Sequence, residues 1–295
     1  MNPLNRSYYG HLSGLAFLVL FLTGCATAPK PPAISSAAPK APVYTGLNIV
    51  QGPTSQGAEP RNDKISHLVL HYTAGTLPSS LDILQGKNRA HKVGVHYVLT
   101  DEPNPRVIRM VPESLAAFHA GKSGWADTSS LNQHSIGIEI INLDGNVHPY
   151  STAQADVLFT LCSDIIRRHG IKPENVVGHS DIAVGRKIDP GSLFPWPKLA
   201  SLGIGAWPLP EEVKTNLAKQ KTLPPAEIRL LLTVYGYHLE AGDAGLKLGI
   251  EAFQRHFRPA KIDGFADPES LAILQSLVRR YRSEELRKAR LKRKV

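Results

Sequence analysis

The stretch SIGIEIINLDGNVHPYSTAQADVLFTLCSDIIRRHG, residues 135–170, holds both halves of the fold in one pass. Residues 135–142 are dominated by isoleucine and end in an Asn, Asp and Gly cluster, which is the composition of a strand running into a turn. Residues 151–169 then put Leu158, Leu161, Cys162, Ile165 and Ile166 on one stripe, the spacing of an amphipathic helix. Ser151 and Gln154 fit a capping box at its start, and Gly170 fits its stop. Moving outward, residues 65–72 and 93–100 have the same Val, Leu, Ile and Tyr content and are expected as two more strands. Val176 and Val177 form a short strand that runs into a loop at Gly178. Strands mixed with long helices, without strict alternation, predict an α/β domain with a mixed central sheet flanked by helices.

Further along, Pro195, Pro197, Pro208, Pro210, Pro224 and Pro225 mark a break in composition. Beyond it lie three helical patterns, through Ile228, Leu231, Leu232 and Tyr235, through Leu246, Ile250, Phe253 and Phe257, and through Leu271, Leu274, Leu277, Val278 and Tyr281. The last has Asp267 as N-cap and Pro268 at its first position. A small C-terminal three-helix domain around one core is the expectation.

The chain has 295 residues, 42% of them hydrophobic, which is enough for real cores and excludes a disordered protein. Its net charge is +9, but residues 279–295 alone carry nine basic and two acidic side chains. A near-neutral body with a basic tail argues against nucleic-acid binding, which spreads positive charge over a folded face. The tail, residues 281–295, is expected as a solvated or helical extension, in preference to a contact with anionic lipid or wall polymer. With two cysteines, a disulfide framework is excluded, and Cys162 falls in the apolar stripe of its helix as a small core residue.

Cys25 belongs to the N-terminus. Arg6 precedes an apolar run over residues 15–22 that is too short to span a membrane and the right size for a secretory signal. The run ends in Leu22-Thr23-Gly24-Cys25, which resembles a bacterial lipobox. The resemblance implies a signal peptide over residues 1–24 and lipidation of Cys25, and Ala26 in place of Asp implies the outer membrane, with the protein facing the periplasm. The alternative is an ordinary cleaved signal with an incidental cysteine. Residues 25–45 are proline-rich and poor in apolar side chains, so they form a semi-stiff tether.

His71 ends a strand as Val-Leu-His-Tyr-Thr, and Gly178-His179-Ser180-Asp181 leads on to Asp189-Pro190-Gly191. A catalytic zinc takes three His or carboxylate ligands and leaves one place open, and His71, His179 and Asp189 would supply that set. Spacing by itself does not assign a metal here, since no His-Glu-x-x-His helix is present. Five co-linear motifs add to it: LVLHYT (68–73), VHYVL (95–99), AFHAGKSGW (117–125), NQHSIGIEIIN (132–142) and GHSDIAVGRKIDPG (178–191). Together, over residues 46–205, they resemble the zinc-dependent N-acetylmuramoyl-L-alanine amidases, the family that includes peptidoglycan recognition proteins. The resemblance implies one zinc ion held by His71, His179 and Asp189, with Glu139 as acid/base residue and Lys187 stabilising the transition state. The implied reaction is hydrolysis of the amide between N-acetylmuramic acid and L-alanine in peptidoglycan or muropeptides.

The residues themselves are compatible with those roles. Glu139 lies in the apolar run Ile-Gly-Ile-Glu-Ile, where an unpaired carboxylate is costly, so it needs a partner or a task. His96 and His119 are expected to line the cleft or to orient ligands, the alternative being buried histidines satisfied by backbone. Trp125 is expected to stack on a sugar, the alternative being a cover for its loop.

Residues 222–280, with Tyr235-Gly236-Tyr237, IEAFQRHFRP (250–259) and IDGFAD (262–267), are similar to the small three-helix peptidoglycan-binding domain. Such a module would raise the effective concentration at an insoluble polymer, and the alternative is a helical cap on the first domain. The competing function is a non-catalytic peptidoglycan-binding lipoprotein of the same fold. Nothing in the sequence demands a dimer, so a monomer is expected.

Overall fold

The computed structural model describes residues 46–87, 92–219 and 221–293. The expected signal peptide, the lipidation site at Cys25 and the tether lie outside the described residues. The central sheet has six strands, in the spatial order Ile49–Gln51, Val107–Arg109, Tyr97–Leu99, Ser135–Ile140, His67–Tyr72 and Val176–Gly178. All neighbours are parallel except Tyr97–Leu99 with Val107–Arg109, so the sheet is mixed. Two short antiparallel ribbons accompany it, Ala58–Pro60 with Leu115–Ala117 and Gly124–Trp125 with Thr128–Ser129.

Side chains alternate across a strand, so each strand here serves two faces. Leu68, Leu70, Ile136, Ile138 and Ile140 turn one way and are covered by Leu158, Leu161, Cys162 and Ile165 of the Thr152–His169 helix. That helix has the expected caps: the Ser151 side chain accepts from the Gln154 N–H, the Gln154 side chain reaches back, and Gly170 closes the end in the left-handed region. The other face carries His67, Val69 and His71 opposite Ser135, Gly137 and Glu139. The strand expected over residues 93–100 is shorter, Tyr97–Leu99. Residues 93 and 94 are instead pressed against Gly57, and the Gly94 N–H donates to the Phe118 carbonyl, a cross-connection that takes this segment out of the sheet.

The three C-terminal helices are present as Pro225–Tyr235, Gly242–Phe257 and Pro268–Tyr281, the last with the Asp267 side chain accepting from the Ser270 N–H. Two more accompany them. Pro210–Ala218, inside what the sequence presents as a proline-rich break, starts on a proline, which a helix accepts at its first turn. It is tied to the third helix by Asn216 Nδ2 to the Ala272 carbonyl and by Ser276 Oγ to Glu212. Ser283–Lys292 extends the basic end as a helix with no buried residue. The helices do not close a core of their own: Ile228, Leu232, Tyr235, Ile250 and Phe253 share one cluster with Val69, Trp125, Val177 and Ile182 of the sheet region.

Candidate metal centre

His71 and Glu139 occupy paired positions on adjacent parallel strands, so their side chains leave the sheet on the same face, near its carboxyl end. His179 opens the short helix His179–Ile182 directly after the Val176–Gly178 strand. Asp189 follows a tight bend in which the N–H groups of Arg186 and Lys187 both donate to the Ala183 carbonyl. The Ser180 N–H donates to the Asp189 carbonyl at 2.8 Å and ties the two segments together. These connections bring three atoms into one small triangle: His71 Nδ1 and His179 Nδ1 are 3.0 Å apart, and Asp189 Oδ2 lies 3.0 and 3.1 Å from them.

The hydrogen bonds behind the triangle orient its histidines. Ser135 Oγ donates to the Leu131 carbonyl, so it accepts from His119 Nε2 at 3.1 Å. His119 Nδ1 is then the acceptor for His71 Nε2–H at 3.0 Å, and His71 Nδ1 is left with a lone pair facing the triangle. His179 repeats the pattern, with Nε2 directed at the Ala120 carbonyl at 3.4 Å. Burial, then the neighbouring His179, pushes His71 down to about 4, so it is neutral near pH 7, as a metal ligand must be. Burial alone would raise the Asp189 carboxyl, but the contacts with His179 and His71 outweigh it and hold the group below the usual carboxylate range.

Two lone pairs and a carboxylate oxygen at this separation repel one another unless a cation lies among them. A tetrahedral zinc with bonds of about 2.0–2.1 Å sets its ligand atoms roughly 3.3 Å apart, close to the triangle formed here. The donor set therefore fits a zinc ion with three protein ligands and an open fourth place.

The open side faces a cleft of about 880 Å³, lined among others by Ser80, Asn132, His119, Glu139, Arg186 and Lys187. Glu139 is half-buried, and its Oε2 is sealed from solvent with no hydrogen-bond partner among the described residues. Burial, then the Asp189 charge, pushes its carboxyl up to about 8, partly offset by Lys187. Lys187, at the end of the bend over residues 183–187, and Asp189, just after it, both line the same cleft.

His119 lines the cleft and bonds His71 of the triangle, and Gly137 makes room for it, because a Cβ there would lie 2.5 Å from the His119 ring. His96 does not line the cleft. It is fully buried behind His119, with Nδ1 accepting from the Gly137 N–H and Nε2 at the Leu115 carbonyl, so it is a structural histidine. Trp125 does not stack on a sugar but covers its loop. It is 1% exposed, donates from Nε1 to the Glu174 carbonyl and packs edge-on against Tyr235 and Tyr237, so no sugar can reach its face. Ser135 escaped the sequence analysis, although its place two residues before Gly137 and four before Glu139 marks it as sharing their face.

Comparison with known proteins supplies the family. Residues 61–192 match the Amidase_2 family, described as N-acetylmuramoyl-L-alanine amidase. The chain is 41% identical over 244 residues to N-acetylmuramoyl-L-alanine amidase AmiD of Escherichia coli (strain K12), covering 77% of this chain and 86% of that protein. The complex of Escherichia coli AmiD with the substrate anhydro-N-acetylmuramic acid-L-Ala-D-gamma-Glu-L-Lys superposes with a TM-score of 0.68 at 40% identity, over 78% of this chain and 93% of that one. AmpDh3 of Pseudomonas aeruginosa, in complex with anhydromuramic pentapeptide, superposes with a TM-score of 0.70 at 36% identity, over 76% of this chain and 94% of that one. The family match, the clustered histidines and aspartate, and relatives similar over most of their length lead to one conclusion: the chain belongs to the Amidase_2 family of N-acetylmuramoyl-L-alanine amidases.

Proposed function

We propose that this protein is a zinc-dependent amidase that cleaves muropeptides between N-acetylmuramic acid and L-alanine, carried on the periplasmic side of the outer membrane by a lipid at Cys25. The observation that carries the enzymatic part is the triangle of His71, His179 and Asp189 opening on a cleft in which Glu139 Oε2 has no hydrogen-bond partner among the described residues. Relatives that hold anhydromuropeptides support the substrate class. The lipobox-like Leu22-Thr23-Gly24-Cys25 and the proline-rich stretch after it support the anchor and the tether.

His71, His179 and Asp189 would hold the ion. A bound zinc supplies Lewis-acid chemistry near neutral pH, acidifying water and polarising a carbonyl. Glu139 takes a proton from the attacking water as the oxygen adds to the lactyl carbonyl carbon, and later delivers it to the L-alanine nitrogen as the C–N bond breaks. A nearby cation favours the ionised form of Glu139, which is the form a base needs. The Lys187 ammonium, at the same cleft, stabilises the negative charge that develops on the carbonyl oxygen. Loss of one such donor costs about 3–4 kcal/mol in comparable sites. His119 and Ser135 hold His71 in the tautomer that leaves Nδ1 free. A non-catalytic binding protein would leave the sealed Oε2 of Glu139 without a task.

The test is digestion of purified anhydro and reducing-end muropeptides, with and without a chelator, followed by chromatography and mass spectrometry. Release of peptides beginning with L-alanine, abolished by chelation and restored by zinc, is the expected result. A zinc-loaded protein that binds the polymer and leaves the amide intact would overturn the enzymatic reading.

A further inference from the structure

We infer that the C-terminal helical region is a working part of the metal centre: Tyr237 and His256 grip the Asp181 carboxylate and thereby position the turn that presents His179. The inference rests on the zinc reading above. Asp181 lies two residues after His179 in the same short helix and is 0% exposed. A carboxylate so deep in the protein is costly unless hydrogen bonds satisfy it. It has three partners. The Gly178 N–H donates to Oδ2 at 2.7 Å, closing the turn that starts the helix. The other two come from the C-terminal region: Tyr237 Oη–H donates to Oδ1 at 2.9 Å, and His256 Nδ1 meets Oδ2 at 2.7 Å.

Both grips are themselves held. The His256 ring stacks on Trp196 at 3.7 Å, just beyond the loop that carries Asp189. Tyr237 is fixed by a backbone bridge to Trp125 and by an edge contact with that ring at 4.9 Å, while the Ala126 N–H donates to the Gly236 carbonyl. Without Tyr237, Oδ1 of Asp181 is stranded in the interior, and without His256, Oδ2 keeps the Gly178 N–H alone; in both cases the least costly response is for the carboxylate to swing out and open the turn. His179 would move with it. Because Ser180 is bonded to the Asp189 carbonyl, the spacing of two ligands would change together. Tyr237 and His256 are thus positioning residues, acting on the metal through Asp181.

The experiment compares the full chain with Tyr237→Phe, His256→Ala, His256→Asn and Leu277→Ala. Leu277 is buried in the same C-terminal helices, and its truncation serves as the stability control. Three quantities are measured: zinc affinity by competition with a chromogenic chelator, the visible absorption bands of the cobalt-substituted protein, and thermal unfolding of the metal-free protein. Tyr237→Phe and His256→Ala should each weaken zinc binding about 10- to 100-fold and shift the cobalt bands. Asn at position 256 can still offer an N–H and should recover part of the loss. Leu277→Ala should lower the unfolding temperature and leave affinity and spectrum unchanged. Wild-type zinc affinity and cobalt spectrum in both Tyr237→Phe and His256→Ala would overturn the inference, as would an equal loss in Leu277→Ala. A wild-type chain that takes up no zinc would instead refute the metal centre itself, and the inference with it.

Discussion

Glu139→Gln keeps the size of the side chain and removes its ability to ionise, so activity and stability should move in opposite directions. Proton transfer by a positioned carboxylate contributes about 10²- to 10⁴-fold, and kcat should fall by that factor while KM changes little. Stability is compared in the metal-free protein. Burial, then the Asp189 charge, raises Glu139 from 4.5 to about 8. The unfolded chain releases this proton near 4.5 and the folded chain keeps it to about 8, so folding is increasingly opposed as pH rises through that window, with no further change above it. At about 1.4 kcal/mol per pH unit, the window amounts to at most roughly 5 kcal/mol. Glu139 is half-buried, and water in the cleft screens its charge, which leaves roughly 2–3 kcal/mol. Glutamine escapes this penalty. In chelator, Glu139→Gln should match wild type near pH 5 and unfold several degrees higher at pH 9, followed by circular dichroism. A kcat within about tenfold of wild type, or a stability difference that is constant from pH 5 to 9, would refute the assignment of Glu139 as a strained, proton-carrying carboxyl.

Lys187→Ala should reduce kcat by about 10²- to 10³-fold with zinc content unchanged, and a fall in metal content instead would assign Lys187 a different role. Trp125→Phe loses the Nε1 bond to the Glu174 carbonyl, so it should destabilise the fold by about 1–3 kcal/mol in urea unfolding while KM for muropeptides stays put. A raised KM without loss of stability would restore the sugar-stacking role. His67 and His71, lowered to about 4, and His96, lowered to about 3, are held neutral first of all by burial. The unfolded chain takes up their protons near 6.5 and the folded chain does not, so the metal-free protein should lose up to about 1.4 kcal/mol per pH unit for each as pH falls below 6.5 toward 4. Urea titrations from pH 7 to 4 check this, and a flat profile contradicts it. Cys25→Ala should move the protein from the membrane fraction to the soluble periplasm, whereas membrane retention would exclude the lipid anchor.

Local signals were legible because their causes are local. The Ser151 and Gln154 capping box, the apolar stripe from Leu158 to Ile166 and the Gly170 stop depend on residues within a few positions of one another, and the helix forms where they place it. Alternation along Ser135–Ile140 likewise decided which side chains could share a face with Glu139. The Pro210–Ala218 helix was hidden because prolines read as a break while its stability comes from packing on Pro268–Tyr281, a partner distant in sequence. Trp125 illustrates the same limit from the other side: an aromatic residue in a glycine-rich loop looks exposed until Tyr235 and Tyr237 arrive to cover it.

By itself the sequence determined the mixed α/β class, the places of the long helix and of the strands that carry His71 and Glu139, and, through five motifs in order, the family. Tertiary structure alone decided that His71, His179 and Asp189 meet within about 3 Å, that the relay from His119 to Ser135 sets the tautomer, and that Asp181 is gripped from the C-terminal helices. Backbone preference and apolar periodicity act over a few residues, whereas hydrogen bonding and ligand convergence depend on which distant segments the sheet and its shared core bring together.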